Sequence, residues 1–347
     1  MPTFRASLSD VGIHILTSQV FSWLMQPLRS QVVPVFMLHR MEDASRAVPG
    51  HSAESLERAL QYLKDNHYSV ISVRELVTAL LNHQPLPKRA VAFTMDDGFY
   101  DQASLALPLF EHYQAPVTVF LATDMLDHQK WSWDYQVEYL LSRANVSELS
   151  LKLGAQSLQL SLGSRAEKRL AIRAARAALK ALPLDVVAES MKDLSLQIGV
   201  DVPEYAPPAY QPMTWGQAAR LESSVVEFGP HSRQHLILSQ LTEAEAEAEV
   251  RQSWASLCDH LKHPVPVFCY PNGRSGKDFT QRDQTLVERA GLQAAFSADP
   301  GYVSLSSAGQ QGMYALKRFA FPERFVDFKQ YCSWLENGKE KLFPGRR

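Results

Sequence analysis

Short apolar runs rich in β-branched and aromatic residues recur along this chain, and helix-length amphipathic segments separate them. The runs are Val32–Leu38, Tyr68–Ile71, Ala90–Phe93, Pro116–Leu121, Val225–Phe228, Val267–Tyr270, Leu292–Phe296 and Ala315–Phe319. A strand followed by a helix and another strand returns the chain to its starting direction, so this alternation restricts the fold to an α/β class with a parallel sheet, open or closed into a barrel. The intervening helices carry start signals. Leu56, Ala59, Leu60 and Leu63 make one apolar face, and Ser72 with Glu75, Thr214 with Gln217 and Thr242 with Glu245 have capping-box spacing.

One stretch breaks the rhythm. Between about 124 and 212 strands and helices no longer alternate; a helix follows Trp131-Ser-Trp-Asp-Tyr135, a second runs from about Arg165 to Leu182, and a Pro-rich run at 203–212 leads back to the core pattern. The expectation is a mostly helical insertion in a single domain over 32–330, preceded by a helical extension at 1–31 and followed by a tail at 331–347. The 347 residues suffice for that arrangement.

Composition excludes several roles. Lys plus Arg (35) nearly balances Asp plus Glu (37), so there is no electrostatic footprint for nucleic acid. Cys258, Cys269 and Cys332 are too few and too scattered for a disulfide framework or a Cys-based zinc site, and they fit a reducing compartment. The first residues lack the charged start, apolar core and cleavage site of a secretory signal. Ile13–Met25 is too short and too polar to span a bilayer, although an amphipathic helix there would allow peripheral membrane contact. The location these features imply is cytoplasmic.

Three strand ends carry chemistry. The run Val91-Ala-Phe-Thr-Met closes on Asp96-Asp97-Gly98, and in α/β folds sites are built at the C-terminal ends of strands. Two adjacent acids there can divide their work, one binding a metal and the other taking a proton. After the run ending at Phe228, His231 and His235 stand four apart, a spacing from which two imidazoles can face one ion. One carboxylate with two imidazoles leaves positions open for water, the usual arrangement of a catalytic zinc or similar ion. Phe268-Cys-Tyr-Pro-Asn-Gly273 ends a third run, where the backbone N–H of Asn272 could meet a developing oxyanion.

Taken together, these segments resemble the polysaccharide deacetylase family, also described as NodB-like and as carbohydrate esterase family four. Thr94-Met-Asp96-Asp97-Gly98 is similar to its Thr-Phe-Asp-Asp-Gly motif, His231-Ser-Arg-Gln-His235 to its His-Ser/Thr-x-x-His motif, and Phe268–Gly273 to its third motif. The resemblance runs from about Pro34 to Phe319. It implies a distorted (β/α) barrel, Asp97, His231 and His235 as metal ligands, and Asp96 as catalytic base. It also implies a divalent metal, first Zn2+, with Co2+, Ni2+ or Fe2+ also suited to the ligands. The implied partner is an acetylated sugar, and the implied reaction is removal of its acetyl group, most readily N-acetyl.

The pattern departs from the family in two places. Cys269 stands where the third motif usually has the arginine that orients the base, which leaves Arg318 and Arg274 as candidate replacements. The last motif usually supplies a histidine as general acid, but Leu316–Phe319 has none. The chain resembles a branch in which that histidine ends an N-terminal strand, and His39 follows Val35-Phe-Met-Leu38 in this way. Trp131 and Tyr270 are candidates for stacking against sugar rings, with packing in the core as the equal alternative for Trp131. Two alternatives share these residues: an O-deacetylase or small-amide hydrolase, and a catalytically silent glycan-binding member.

Overall fold

The computed structural model describes residues 32–304, 310–333 and 335. The helical extension expected at 1–31 and most of the tail at 331–347 lie outside the described residues. The chain divides into two compact units, one formed by Met1–Leu126 with Met213–Arg347 and the other by Asp127–Pro212.

The strands, in chain order, are β1 (Val32–Val33), β2 (Val35–Leu38), β3 (Ser69–Val70), β4 (Ala90–Asp97), β5 (Val117–Leu121), β6 (Glu148–Leu153), β7 (Gln156–Ser161), β8 (Val226–Pro230), β9 (Val267–Cys269), β10 (Ala294–Phe296), β11 (Val303–Ser304) and β12 (Phe319–Ala320). In the first unit the main sheet has the order β12-β2-β4-β5-β8, with β3 also paired to β4, and every pairing is parallel. β9 and β10 form a second parallel pair. Single contacts carry the path onward: Val265 N–H donates to the Phe228 carbonyl, and Phe296 bridges Leu316, just ahead of β12. This is the parallel α/β architecture the alternation implied.

The sheet is buried on both faces, as a parallel sheet covered by helices must be. All eight residues of β4 are buried. Side chains alternate across the pleat: Val91, Phe93 and Met95 enter one apolar cluster, with Leu60 and Phe110 from flanking helices, while Ala90 and Ala92 enter another with Phe120, Val267 and Phe296. Thr94 and Asp96 continue the second row, so the pleat aims Asp96 toward the side occupied by β9 and β10.

Helix starts follow the capping signals. Thr214 and Thr242 each accept from the backbone N–H three residues on, and Gln217 and Glu245 return the bond to complete capping boxes. Ser72 accepts from Glu75 N–H. Among the described residues no helix is long and apolar enough to cross a membrane.

The second unit holds helices Trp133–Arg143, Arg165–Leu179 and Leu184–Ile198. It also holds an antiparallel hairpin, β6 against β7, in a stretch expected to be mostly helical. The hairpin turns on Gly154, whose φ of +66° suits a two-residue connection. Its apolar side, Leu149, Leu151 and Leu160, packs with Leu140, Ala175 and Leu194 of the helices.

Candidate active site

Register brings His39, the Asp96-Asp97-Gly98 motif and the histidine motif to one level. Leu38 pairs with Met95, Asp96 with Phe120, Asp97 with Leu121, and Leu121 with Pro230. His39, Asp96, Asp97 and His231 therefore leave the sheet within one residue of one another at its C-terminal edge. Asp97 departs from the strand with φ +79°, and Ser232, His235 and Asn272 have φ near +60°. Non-glycine residues rarely occupy this region, and they concentrate where function requires a particular backbone. At Asp97 the turn matters because adjacent residues of a regular strand would send their side chains to opposite faces.

Asp97, His231 and His235 converge and are all buried. Asp97 Oδ1 lies 3.4 Å from His231 Nε2 and 3.2 Å from His235 Nε2. Ligands held at about 2.0–2.1 Å around a tetrahedral ion stand about 3.3 Å apart, so these donor spacings fit a zinc-sized ion. His231 Nδ1 lies 2.8 Å from the Cys269 carbonyl. A carbonyl only accepts, so Nδ1 carries the proton and Nε2 keeps its lone pair toward Asp97, the orientation a metal-binding imidazole needs. Burial alone would raise the Asp97 pKa, but the facing His235 and His231 outweigh it and hold the carboxyl well below its usual range. The donors fit a divalent ion in number, chemistry and spacing.

The histidine loop is held from outside the cluster. Glu249, on the helix Glu243–His260, accepts from Arg233 N–H (3.0 Å) and Gln234 N–H (2.8 Å), and Ser232 Oγ accepts from His235 N–H (3.0 Å). Asp124 N–H donates to the Arg233 carbonyl.

Asp96 takes no part in that triad. Arg318 clasps it from the stretch before β12, with Nη1 to Oδ1 at 2.7 Å and Nη2 to Oδ2 at 2.9 Å. The guanidinium is 1 % exposed and spends its other donors on Thr94 Oγ1 (3.0 Å), the Ser297 carbonyl (3.0 Å) and Cys269 Sγ (3.1 Å). Burial would raise the Asp96 pKa, but Arg318, with His231 and His39 behind it, prevails and holds it low. Burial pushes the Cys269 thiol up, which keeps it neutral and able to accept from Arg318. Cys269 also forms a second grouping with Asp96 and His231. Arg274, the other arginine expected to orient Asp96, lies 3.7 Å from Asp299 with more than half its side chain exposed, and no contact to Asp96 is seen.

His39 Nε2 sits 3.7 Å from Asp96 Oδ2 with 42 % of its side chain exposed. That is too long for a hydrogen bond and leaves the two groups facing one space. Asn272 is half-buried in the loop after β9.

Two sequence expectations need correction. Tyr270 is not an open platform for sugar rings: it is 1 % exposed and stacks on Phe279 at 3.8 Å with the rings nearly parallel. Trp131 is a core residue of the second unit, where its indole N–H donates to the Pro203 carbonyl at 3.0 Å and its ring meets Tyr139 and Tyr210. An apolar ring gains more from burial than from exposure on a loop. The sequence reading also passed over Arg40, Asp101, Gln102 and Glu249, whose roles depend on contacts distant in the chain.

The family model for polysaccharide deacetylases matches residues 187–295, the part that carries His231, His235 and Asn272. Bacillus subtilis (strain 168) YxkH, whose name places it provisionally among polysaccharide deacetylases, is 20 % identical over 288 residues, or 82 % of this chain and 70 % of its own. IcaB from Ammonifex degensii shares the fold at a TM-score of 0.56 and 15 % identity, over 88 % of this chain and 97 % of its own. The Streptococcus pyogenes deacetylase PplD, solved in complex with acetate, does so at 0.55 and 16 %, over 86 % and 96 %. The sequence similarity to polysaccharide deacetylases thus falls on the stretch that carries both imidazoles, and the fold is shared with IcaB and PplD.

Proposed function

We propose that the chain is a metal-dependent N-deacetylase acting on an acetylated sugar within a glycan or glycolipid precursor. The observation that carries this reading is the buried Asp97–His231–His235 cluster lying beside an arginine-clasped Asp96. Asp97, His231 and His235 would hold the ion, zinc in the first instance. When bound, it supplies Lewis-acid polarisation of the acetyl carbonyl and lowers the pKa of a nearby water.

The chain's own groups do the rest. Asp96 takes a proton from the attacking water. Arg318 occupies one lone pair on each Asp96 oxygen, which fixes the carboxylate plane and leaves its other lone pairs to receive that proton. The Asn272 N–H stabilises the charge that develops on the acetyl oxygen. As the C–N bond breaks, His39 delivers a proton to the departing amine, and the products are a free amino sugar and acetate. Its position across from Asp96 and its partial exposure suit contact with a substrate that arrives from solvent.

His39→Ala is expected to lower kcat by about 100-fold to 10,000-fold with metal content unchanged. Steady-state kinetics beside elemental analysis would check this, and near-normal turnover would remove His39 from the mechanism. The function itself is tested by acetate release from N-acetylated sugars, O-acetylated sugars and non-sugar amides, using chain supplied with zinc, cobalt or nickel. Fastest release from the N-acetylated sugar is the expected result. Preference for an ester or a small amide would reassign the substrate at the same site, and no release from any of them would favour a silent glycan-binding protein.

A further inference from the structure

The β2–β4 ladder pairs Leu38 with Met95 as its last rung. The next residues in register are His39 and Asp96, and a side chain joins them. Gln102 Nε2 lies 2.5 Å from the His39 carbonyl oxygen and 2.5 Å from the Asp96 carbonyl oxygen. A carboxamide nitrogen carries two hydrogens, so it can donate one to each carbonyl. The reverse orientation would set Oε1 against two acceptors, so these contacts fix which way the amide points. Gln102 is fully buried and begins a short π-helical segment, Gln102–Ala106, a rare form that is frequent at functional sites.

The neighbouring residue closes the other side of the same segment. Asp101 accepts from Arg40 Nε (3.0 Å), Arg40 Nη2 (2.9 Å) and Met41 N–H (2.6 Å). The Arg40 carbonyl accepts from His51 N–H, and the Arg40 guanidinium covers the Phe99 ring. The chain just past β2 is therefore tied down by residues that follow the Asp96-Asp97-Gly98 motif on the other strand.

We propose that Gln102 is a positioning residue: its amide adds one rung to the β2–β4 ladder and fixes the His39 backbone against the Asp96 backbone. The consequence for turnover rests on the reading of His39 as acid and Asp96 as base, whereas the backbone lock does not. A misplacement of about 1 Å in a catalytic group can cost about 100-fold in rate, and no other side chain described here touches both of these carbonyls.

The test is Gln102→Met in the full chain, because methionine keeps the length and loses both donors. Hydrogen–deuterium exchange and acetate-release kinetics are measured side by side. Exchange should quicken across residues 37–43 and stay unchanged across the histidine loop at 229–237. Turnover should fall by about 100-fold with KM and metal content little altered. Gln102→Glu is the second variant: at neutral pH it sets an acceptor against both carbonyls, and its effect should be at least as large. Wild-type exchange across 37–43 in both variants would overturn the proposal, whatever the activity. Faster exchange with undiminished turnover would overturn the catalytic consequence. If the wild type released no acetate, the deacetylase reading would fail, and exchange alone would decide the lock.

Discussion

Replacing Arg318 with methionine is expected to destabilise the protein by about 3–5 kcal/mol, the usual cost of stripping one partner from a buried ion pair. The reason lies in what the guanidinium leaves behind. Asp96 would keep its buried carboxylate without either of the hydrogen bonds Arg318 gave it, and Thr94, Ser297 and Cys269 would lose a donor. Removing Asp96 as well should restore much of the loss, because an apolar pair of similar volume is often no less stable than the ion pair it replaces. Urea unfolding of wild type, Arg318→Met and Asp96→Leu/Arg318→Met would measure this. Because the chain has two compact units, probes in each must give coincident transitions before one free energy is assigned. A single variant within about 1 kcal/mol of wild type, or a double variant less stable than the single, would show that the pair does not carry this weight.

The same arginine marks where sequence reading ends. Cys269 in the third motif signalled that the base needed a different partner, and two arginines were candidates. Arg274 is nearer in sequence to the motif, but it turns outward to Asp299. Arg318 comes from the far end of the chain, and β12 beside β2 carries it to Asp96. Only the strand order decides between them. The site's local parts were legible for the opposite reason. An apolar run ending in Asp96-Asp97-Gly98 and a strand followed by His231-Ser-Arg-Gln-His235 state their position and chemistry within a few residues. The capping boxes at Thr214 and Thr242 are legible in the same way, since cap and partner are three residues apart.

The hairpin in the second unit was hidden by composition. Leu149, Leu151, Leu153, Leu158 and Leu160 follow a period of two across 148–161, which is the pattern of half-buried strands. Leucine is a good helix former and lacks the β-branch that usually marks a strand, so residue type pointed away from what the period said. Tyr270 and Trp131 show a related limit. An aromatic beside a motif looks the same in sequence whether its ring faces a ligand or a neighbouring Phe279 or Tyr210. Gln102 was silent altogether, because a glutamine acquires meaning here only through two carbonyls on separate strands.

Asp97→Ala should abolish stoichiometric binding of a divalent ion, and with it turnover above background. The physical case starts from geometry: Asp97 Oδ1 is the atom from which both imidazole Nε2 atoms are 3.2–3.4 Å away, so its loss leaves two neutral donors and no charge to offset the ion's. A site of two imidazoles has neither the three protein ligands nor the carboxylate expected of the catalytic centre. The effect is measurable without a substrate. An ion at about 100 times its Kd stabilises a protein that binds it only when folded by about 2.7 kcal/mol. The wild type should therefore melt several degrees higher when zinc is supplied, and the variant should not respond. His231→Ala and His235→Ala should behave like Asp97→Ala, whereas His39→Ala should keep the thermal response and lose only turnover. That contrast separates ion binding from proton delivery. If Asp97→Ala retained about one ion per chain and the wild-type thermal response, the ion would be held elsewhere, and the assignment of this cluster would fall.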